Sequence, residues 1–237
     1  MLKTCSLTVG YPDGTTAVEG LTVHVERGET VALVGANGAG KTSLLLSLAG
    51  LLPVRGGTVS IDGIGLDRTT AGDIRRRVGF VFQNPDDQLF MPEICEDIAF
   101  GPRNQGLCEA AVAERVDAVI AELGIGHLRH RSPLKLSGGE KRTAAIATVL
   151  SMDPALILLD EPTAFLDPKS RRALINTLRS LPQTKLIATH DLPFAAELCD
   201  RVLMLKNGKL FAEGTPGLLA DAELMAACDM EAIGTGL

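Results

Sequence analysis

The sequence predicts an α/β fold: a largely parallel sheet with crossover helices, an antiparallel β-layer at its N-terminal side, and an inserted helical lobe. Three observations predict it. Short apolar, β-branched runs alternate with helix-like segments, as they do where a parallel sheet is covered on both faces. The first 25 residues alternate apolar and polar positions more cleanly, as a half-exposed antiparallel sheet requires. Between Gln88 and Leu150 the strand pattern stops and helical spacing replaces it.

In chain order, Thr4–Val9 and Ala17–Val25 read as the half-exposed strands. Thr30–Val34 reads as a buried strand that runs through a glycine loop into an apolar helix starting near Lys41. Val78–Phe82, Ala155–Leu159 and Lys185–Thr189 read as further buried strands. In the inserted lobe, an apolar piece surrounds Ile98–Phe100. Glu109–Leu123 then sets Val112, Val116, Val119 and Leu123 on one helical face, and another helix follows Gly139. Val202–Leu205 and Lys209–Ala212 flank Asn207-Gly208, a hairpin signal because both central residues of such a turn need positive φ. The spacing therefore predicts a single domain over residues 1–237. Residues 1–87 and 151–237 form its α/β core, and residues 88–150 its helical lobe.

Composition narrows the classes further. With 237 residues, 46% hydrophobic and 22% charged, the chain can bury a sizeable core. Aromatics are 3%, with no Trp and one Tyr, so that core must be aliphatic. Twenty-three basic against 29 acidic residues leave a net charge of −6, which argues against a nucleic-acid binder. The longest stretch without a charge, Thr42–Val54, falls short of the about 20 residues a membrane-spanning helix needs, and no signal-peptide pattern opens the chain. A soluble protein that stays where it is made is the expectation. Cys5, Cys95, Cys108, Cys199 and Cys228 are scattered and odd in number, as unpaired thiols in a reducing compartment would be. His127 and His130 lie in a short Arg-rich loop, Gly124–Arg131, with no Cys or carboxylate at ligand spacing. They are not expected to hold a metal.

The chemistry is concentrated in three places. Gly35-Ala36-Asn37-Gly38-Ala39-Gly40-Lys41-Thr42 fits G-x-x-x-x-G-K-[ST] between a strand and a helix. In that context glycines let backbone N–H groups turn toward phosphate oxygens, and the helix N-terminus adds its positive dipole end. Lys41 would reach the β- and γ-phosphates, and the Thr42 hydroxyl would ligate Mg²⁺. The strand ending in Asp160-Glu161 presents adjacent carboxylates to opposite faces, so Asp160 suits a Mg²⁺-bound water and Glu161 a base that orients the attacking water. Ser137-Gly138-Gly139-Glu140 is an S-x-x-E capping box. Its two glycines leave the helix end bare for an anion.

Together with Gln83, Leu166-Asp167 and His190, these elements resemble the ATP-binding-cassette ATPases over essentially the whole chain. That resemblance implies a P-loop NTPase fold with a RecA-like mixed sheet, an N-terminal antiparallel β-subdomain and an inserted α-helical subdomain. It also implies an ATP- and Mg²⁺-dependent head-to-tail dimer, with a second copy or a paralogue as partner. By the same resemblance, Gly35, Asn37, Gly38, Gly40, Lys41, Thr42 and Ser43 hold the nucleotide and Tyr11 stacks on adenine. Gln83 touches Mg²⁺ and the lytic water. Ser137, Gly138 and Gly139 clasp the γ-phosphate bound to the opposite subunit, Asp167 orders the dimer interface, and His190 contacts the γ-phosphate and positions Glu161. Glu140 stands where the family more often has Gln, and Phe165 where a small residue is commoner.

Tyr11–Thr15, Gln83–Phe90 and Glu96–Pro102 resemble the energy-coupling-factor importers, and Leu136–Leu150 with Thr189–Asp191 and Leu198–Arg201 the cobalt/nickel branch. The partners so implied are a transmembrane T component and a small substrate-binding S component, with this chain peripheral at the cytoplasmic face of the plasma membrane. Residues 86–101 would then face the T component, although Asp86, Asp87, Glu96 and Asp97 read equally well as a solvated acidic loop. The alternative is a soluble cassette ATPase of repair, translation or cluster assembly. The single cassette, the modest helical lobe and the lack of Cys-x-x-Cys disfavour the repair and translation types; architecture does not separate a cluster-assembly ATPase, and there Pro85–Phe90 and Glu96–Pro102 favour the importer.

Overall fold

The computed structural model describes residues 1–234. In chain order the strands and helices are β1 (Leu2–Gly10), β2 (Thr16–Leu21), β3 (His24–Val25), β4 (Thr30–Val34), α1 (Lys41–Leu48), β5 (Val54–Ile61), β6 (Ile64–Gly65), α2 (Ala71–Arg77) and β7 (Val78–Val81). They continue with α3 (Ile94–Asn104), α4 (Glu109–Glu122), α5 (Gly138–Leu150), β8 (Leu156–Asp160), α6 (Pro168–Ser180), β9 (Thr184–Ala188), α7 (Leu192–Leu198), β10 (Arg201–Lys206), β11 (Lys209–Gly214) and α8 (Ala222–Ala227).

One sheet runs β11-β10-β4-β9-β8-β7. All of its pairings are parallel except the β10–β11 hairpin, where Asn207 (φ 51°) and Gly208 (φ 76°) supply the left-handed turn. The second sheet is antiparallel, β2-β1-β5-β6, with β3 also on β1. The predicted Ala17–Val25 strand is split in two at Thr22–Val23. There Thr4 accepts from the Val23 N–H through Oγ1 and donates to the Leu21 carbonyl. β5, β6, α2, α6, α7 and α8 were not individually predicted.

Alternation along the buried strands divides the core between the two faces of the parallel sheet. Ala32 and Val34, with Ile157 and Leu159, pack among α3–α7. Val31 and Leu33, with Leu156 and Leu158, pack against α1 and the antiparallel layer. Every residue of β4, β8 and β9 is buried. This two-sided burial is why these strands read as continuous apolar runs.

The lobe between β7 and β8 is built of α3, α4 and α5. Val112, Val116 and Val119 face inward from α4 as predicted, and Leu123 packs at the edge of the same core. The acidic stretch is only partly solvated. Asp97 is buried, its Oδ1 accepting from the N–H groups of Phe90 and Met91, while Asp86 pairs with Lys141 at 2.6 Å.

Close packing of α5 on the sheet depends on Gly79 in β7. A Cβ there would lie 2.0 Å from Val149 Cγ1. Gly79→Ala should therefore destabilise the fold by about 1–3 kcal/mol, the usual cost of overpacking a filled core. Urea denaturation checks this, and Val149→Ala added to Gly79→Ala should recover part of the loss.

Candidate functional site

Because four neighbouring strands are parallel, the residues that follow them gather along one edge of the sheet. The glycine loop follows β4, Gln83 follows β7, Asp160-Glu161 ends β8, and His190 follows β9. Open α/β sheets bind ligands at this carboxyl edge.

The cavity there is about 750 Å³. It brings together Tyr11, Asn37, Gly38, Gly40, Lys41, Thr42, Ser43, Gln83, Glu161 and His190. Gly35 lies in the adjoining cleft with Asn37 and His190. Thr15, Thr16, Ala17, Asn207 and Gly208 also line the cavity and were not predicted as site residues. The hairpin signal at Asn207-Gly208 was legible. Its seat against the phosphate loop was not, because it comes from the Gly208 N–H donating to Ala39 and the Gly208 carbonyl accepting from Glu19.

The loop needs its glycines for space as well as conformation. A Cβ on Gly40 (φ 100°) would lie 2.4 Å from the Ala17 carbonyl oxygen. Lys41 is buried at the loop's base, and its Nζ donates to the carbonyls of Gly35 (2.7 Å) and Ala36 (3.2 Å). Burial pulls its ammonium below the usual range, against the opposing fields of Glu161 and Asp160. Thr42 Oγ1 donates to both carboxylate oxygens of Asp160, at 3.1 and 2.9 Å. Burial raises the Asp160 carboxyl above its ordinary value, opposed by that hydrogen bond. A hydroxyl beside a carboxylate at a phosphate loop is the hard-oxygen donor set that suits Mg²⁺.

The strand alternation expected of Asp160 and Glu161 stops between them, because β8 ends at Asp160. Glu161 leaves β8 in a left-handed conformation (φ 44°) and is buried. Its Oε2 lies 2.8 Å from His190 Nδ1 and also accepts from the His190 backbone N–H at 3.1 Å. The Tyr11 hydroxyl is 2.8 Å from Ser43 Oγ, so the lone tyrosine is tied to the first turn of α1.

Ser137, Gly138, Gly139 and Asp167 do not line this cavity. Ser137 caps α5 in the predicted box: its Oγ accepts from the Glu140 N–H, and Glu140 Oε2 accepts from the Ser137 N–H at 2.8 Å. Asp167 caps α6 by accepting from the N–H groups of Lys169 and Ser170. The two helix ends abut, since a Cβ on Gly139 would lie 2.4 Å from Ser170 Oγ. Phe165 beside them is 90% exposed and in the left-handed region (φ 62°).

Sequence reading missed Arg142. It is fully buried, and its guanidinium donates to the carbonyls of Phe82 and Gln83, both at 2.6 Å. The premise that no Cys or carboxylate stands near the two loop histidines needs correction for one of them. His127 lies 3.9 Å from Glu140, but His130 meets Glu93 and Cys95, residues 37 and 35 positions earlier. The chain fold closes that distance; sequence spacing could not show it.

A glycine phosphate loop at the carboxyl edge of a parallel sheet, with Lys41 at its base and paired carboxylates opposite, defines a P-loop ATPase. The second capped helix end in the inserted lobe narrows the class, and residues 18–164 match the family model described as ABC transporter. The chain belongs to the ABC transporter ATPase family. It is 46% identical to the energy-coupling factor transporter ATP-binding protein EcfA of Methanothermobacter thermautotrophicus, over 95% of this chain and 74% of that one. Among solved structures it resembles cbiO1 of Clostridium perfringens, part of the ABC transporter complex cbiONQ, with TM-score 0.84 and 36% identity over 95% and 93% of the two chains. It also resembles the ATP-binding cassette MJ0796, solved as a dimer in a post-hydrolysis state with ADP and Pi, with TM-score 0.79 and 27% identity over 91% and 99%.

Proposed function

We propose that this chain is the ATP-hydrolysing subunit of an energy-coupling-factor type importer for cobalt or nickel ions. The observation that carries the ATPase part is the convergence of Lys41, Thr42, Glu161 with His190, and Gln83 on one cavity, with Asp160 hydrogen-bonded to Thr42 and lining the cleft on the other side of Gln83. The phosphate loop, through Gly35, Asn37, Gly38, Gly40, Lys41, Thr42 and Ser43, binds the triphosphate, and Tyr11 flanks the base. Thr42, Asp160 and Gln83 would hold Mg²⁺, which supplies charge neutralisation between the phosphates. Glu161 orients and deprotonates the attacking water while His190 holds its carboxylate in place.

ABC ATPases act as dimers, and Ser137, Gly138, Gly139 and Asp167, which lie outside the cavity and its adjoining clefts, fit that arrangement. Ser137, Gly138 and Gly139 would close on the γ-phosphate held by a second copy or a paralogue, with Asp167 at the seam. Hydrolysis removes the group both subunits grip, and the pair can part.

The importer part is supported by the likeness to EcfA and cbiO1 and by a groove on the helical lobe. Phe80, Phe90, Phe100 and Met152 line it, with Phe90 61% exposed and its ring edge-on to Phe100 at 5.0 Å. Among the described residues no helix is long and apolar enough to cross a membrane, so passage of the ion falls to partners: a T component docked on this groove at the cytoplasmic face, and an S component that selects the substrate.

Tagged Glu161→Gln loaded with MgATP in gently solubilised source membranes tests this reading. Mass spectrometry should recover a multi-spanning protein with a small integral metal-binding one. Recovery of soluble proteins alone would move the reading to a soluble cassette ATPase.

A further inference from the structure

Away from the nucleotide cavity, Glu93, Cys95 and His130 bring one ligand atom each to within 4.8 Å of one another. His130 Nδ1 lies 2.8 Å from Glu93 Oε2, Cys95 Sγ 3.6 Å from the same oxygen, and Cys95 Sγ 4.0 Å from His130 Nδ1. Ligands on a tetrahedral Zn²⁺ at metal–ligand lengths of about 2.0–2.3 Å stand roughly 3.3–3.6 Å apart. The observed spacings bracket that range, so sub-ångström side-chain shifts would close the triangle.

The backbone under the triangle is already held. The Ile94 N–H donates to the Arg131 carbonyl at 3.1 Å, and the Cys95 N–H to the Arg129 carbonyl at 3.0 Å. The first turn of α3 is thus bonded to the residues on either side of His130. Little chain entropy remains to be lost when an ion bridges the two segments.

We propose that Glu93, Cys95 and His130 form a surface site for a zinc-class divalent cation, which clips the start of α3 to the segment leading to Ser137. The donor set chooses the ion. A thiolate with an imidazole favours Zn²⁺, and Co²⁺ as its spectroscopic substitute, over Mg²⁺ or Ca²⁺. On binding, Cys95 gives its proton to solvent, and thiolate plus carboxylate balance the two positive charges. His130 is exposed and Glu93 and Cys95 are partly so, which leaves a fourth, water-filled position open. The neighbouring Arg129 is paired with Asp117 and does not compete for the carboxylate of Glu93. This site is separate from the nucleotide cavity and does not depend on which ion the partners transport.

Equilibrium dialysis of the full chain against Zn²⁺ in excess Mg²⁺, which blocks the phosphate-loop oxygens, tests the site. One Zn²⁺ per chain is expected. Removal of a direct ligand in Cys95→Ser, His130→Ala or Glu93→Gln should weaken binding by at least the roughly 10–100-fold that loss of a supporting contact costs. Co²⁺ should give a thiolate charge-transfer band that Cys95→Ser abolishes and the control Cys108→Ser keeps. All variants should hydrolyse MgATP at the parent rate, which separates loss of the ion from loss of the fold. Absence of stoichiometric Zn²⁺, or Zn²⁺ and the Co²⁺ band retained in Cys95→Ser and His130→Ala, would overturn the proposal.

Discussion

Glu161→Gln should lower the kcat of ATP hydrolysis by about 10²–10⁴-fold, the range a positioned general base contributes, while MgATP binding stays within a few-fold of the parent. The substitution is isosteric. A Gln side-chain oxygen can still accept from the His190 backbone N–H, as Glu161 Oε2 does at 3.1 Å, so the β8 and β9 ends stay joined. What disappears is the ability to take a proton from water. Binding rests instead on the loop N–H groups, Lys41 and Thr42, none of which touches Glu161 by a hydrogen bond.

With the γ-phosphate uncleaved, the dimer should persist, and size-exclusion chromatography in MgATP should show it for the variant and not for the parent. His190→Ala makes the complementary test. Glu161 would keep its bond to the backbone at residue 190 but lose the imidazole 2.8 Å away, so turnover should fall by less than in Glu161→Gln. Glu161→Gln turning over at the parent rate would remove Glu161 from the role of base.

The parts of this site that could be read from sequence are those set by short-range chemistry. The strand–loop–helix at Gly35–Thr42, the Ser137–Glu140 box and the Asn207-Gly208 turn each depend on residues within eight positions. Their geometry follows from backbone rules that hold in any fold. The strand at Val54–Ile61 was missed because Gly56-Gly57 breaks the run and shifts its burial alternation by one residue. Pairing with β1 along most of its length, and with β6 at its end, holds it extended. The short α2 was missed for a similar reason: of its seven residues only Ile74 is buried, so it shows no apolar face. Glu93, Cys95 and His130 meet because two backbone hydrogen bonds join segments 35 residues apart, and no local pattern encodes that. Arg142 carries no local signal of burial; its place is set by where β7 ends.

That burial makes Arg142 a residue whose loss should cost the fold heavily. It is 1% exposed, and its two terminal nitrogens are spent on the carbonyls of Phe82 and Gln83, with Nε left unpartnered. Burial pushes its guanidinium down to about 10, with Asp160 pulling the other way. Two opposing quantities decide what a substitution does. Each hydrogen bond from a charged donor is worth roughly 1.5–3 kcal/mol, whereas desolvating the guanidinium already costs several kcal/mol that an apolar side chain would not incur. Arg142→Ala removes the bonds and leaves a cavity as well, so urea denaturation should register a loss of about 3–5 kcal/mol. Arg142→Met refills the volume and relieves the desolvation, so its loss should be nearer 1–2 kcal/mol. Activity should not follow stability. In both variants the carbonyls at the end of β7 lose their anchor, and the Gln83 side chain that enters the nucleotide cavity loses its fixed backbone. Well below its melting temperature, Arg142→Met should therefore hydrolyse ATP about tenfold or more slowly than the parent, since a misplacement near 1 Å can cost about 10²-fold in rate. A folded Arg142→Met with parental kcat would show that α5 does not position Gln83. A slow one would make the helix that carries Ser137 and Gly139 also the support of Gln83 in the cavity, so that movement of the helical lobe and the readiness of the site to hydrolyse would be mechanically one event.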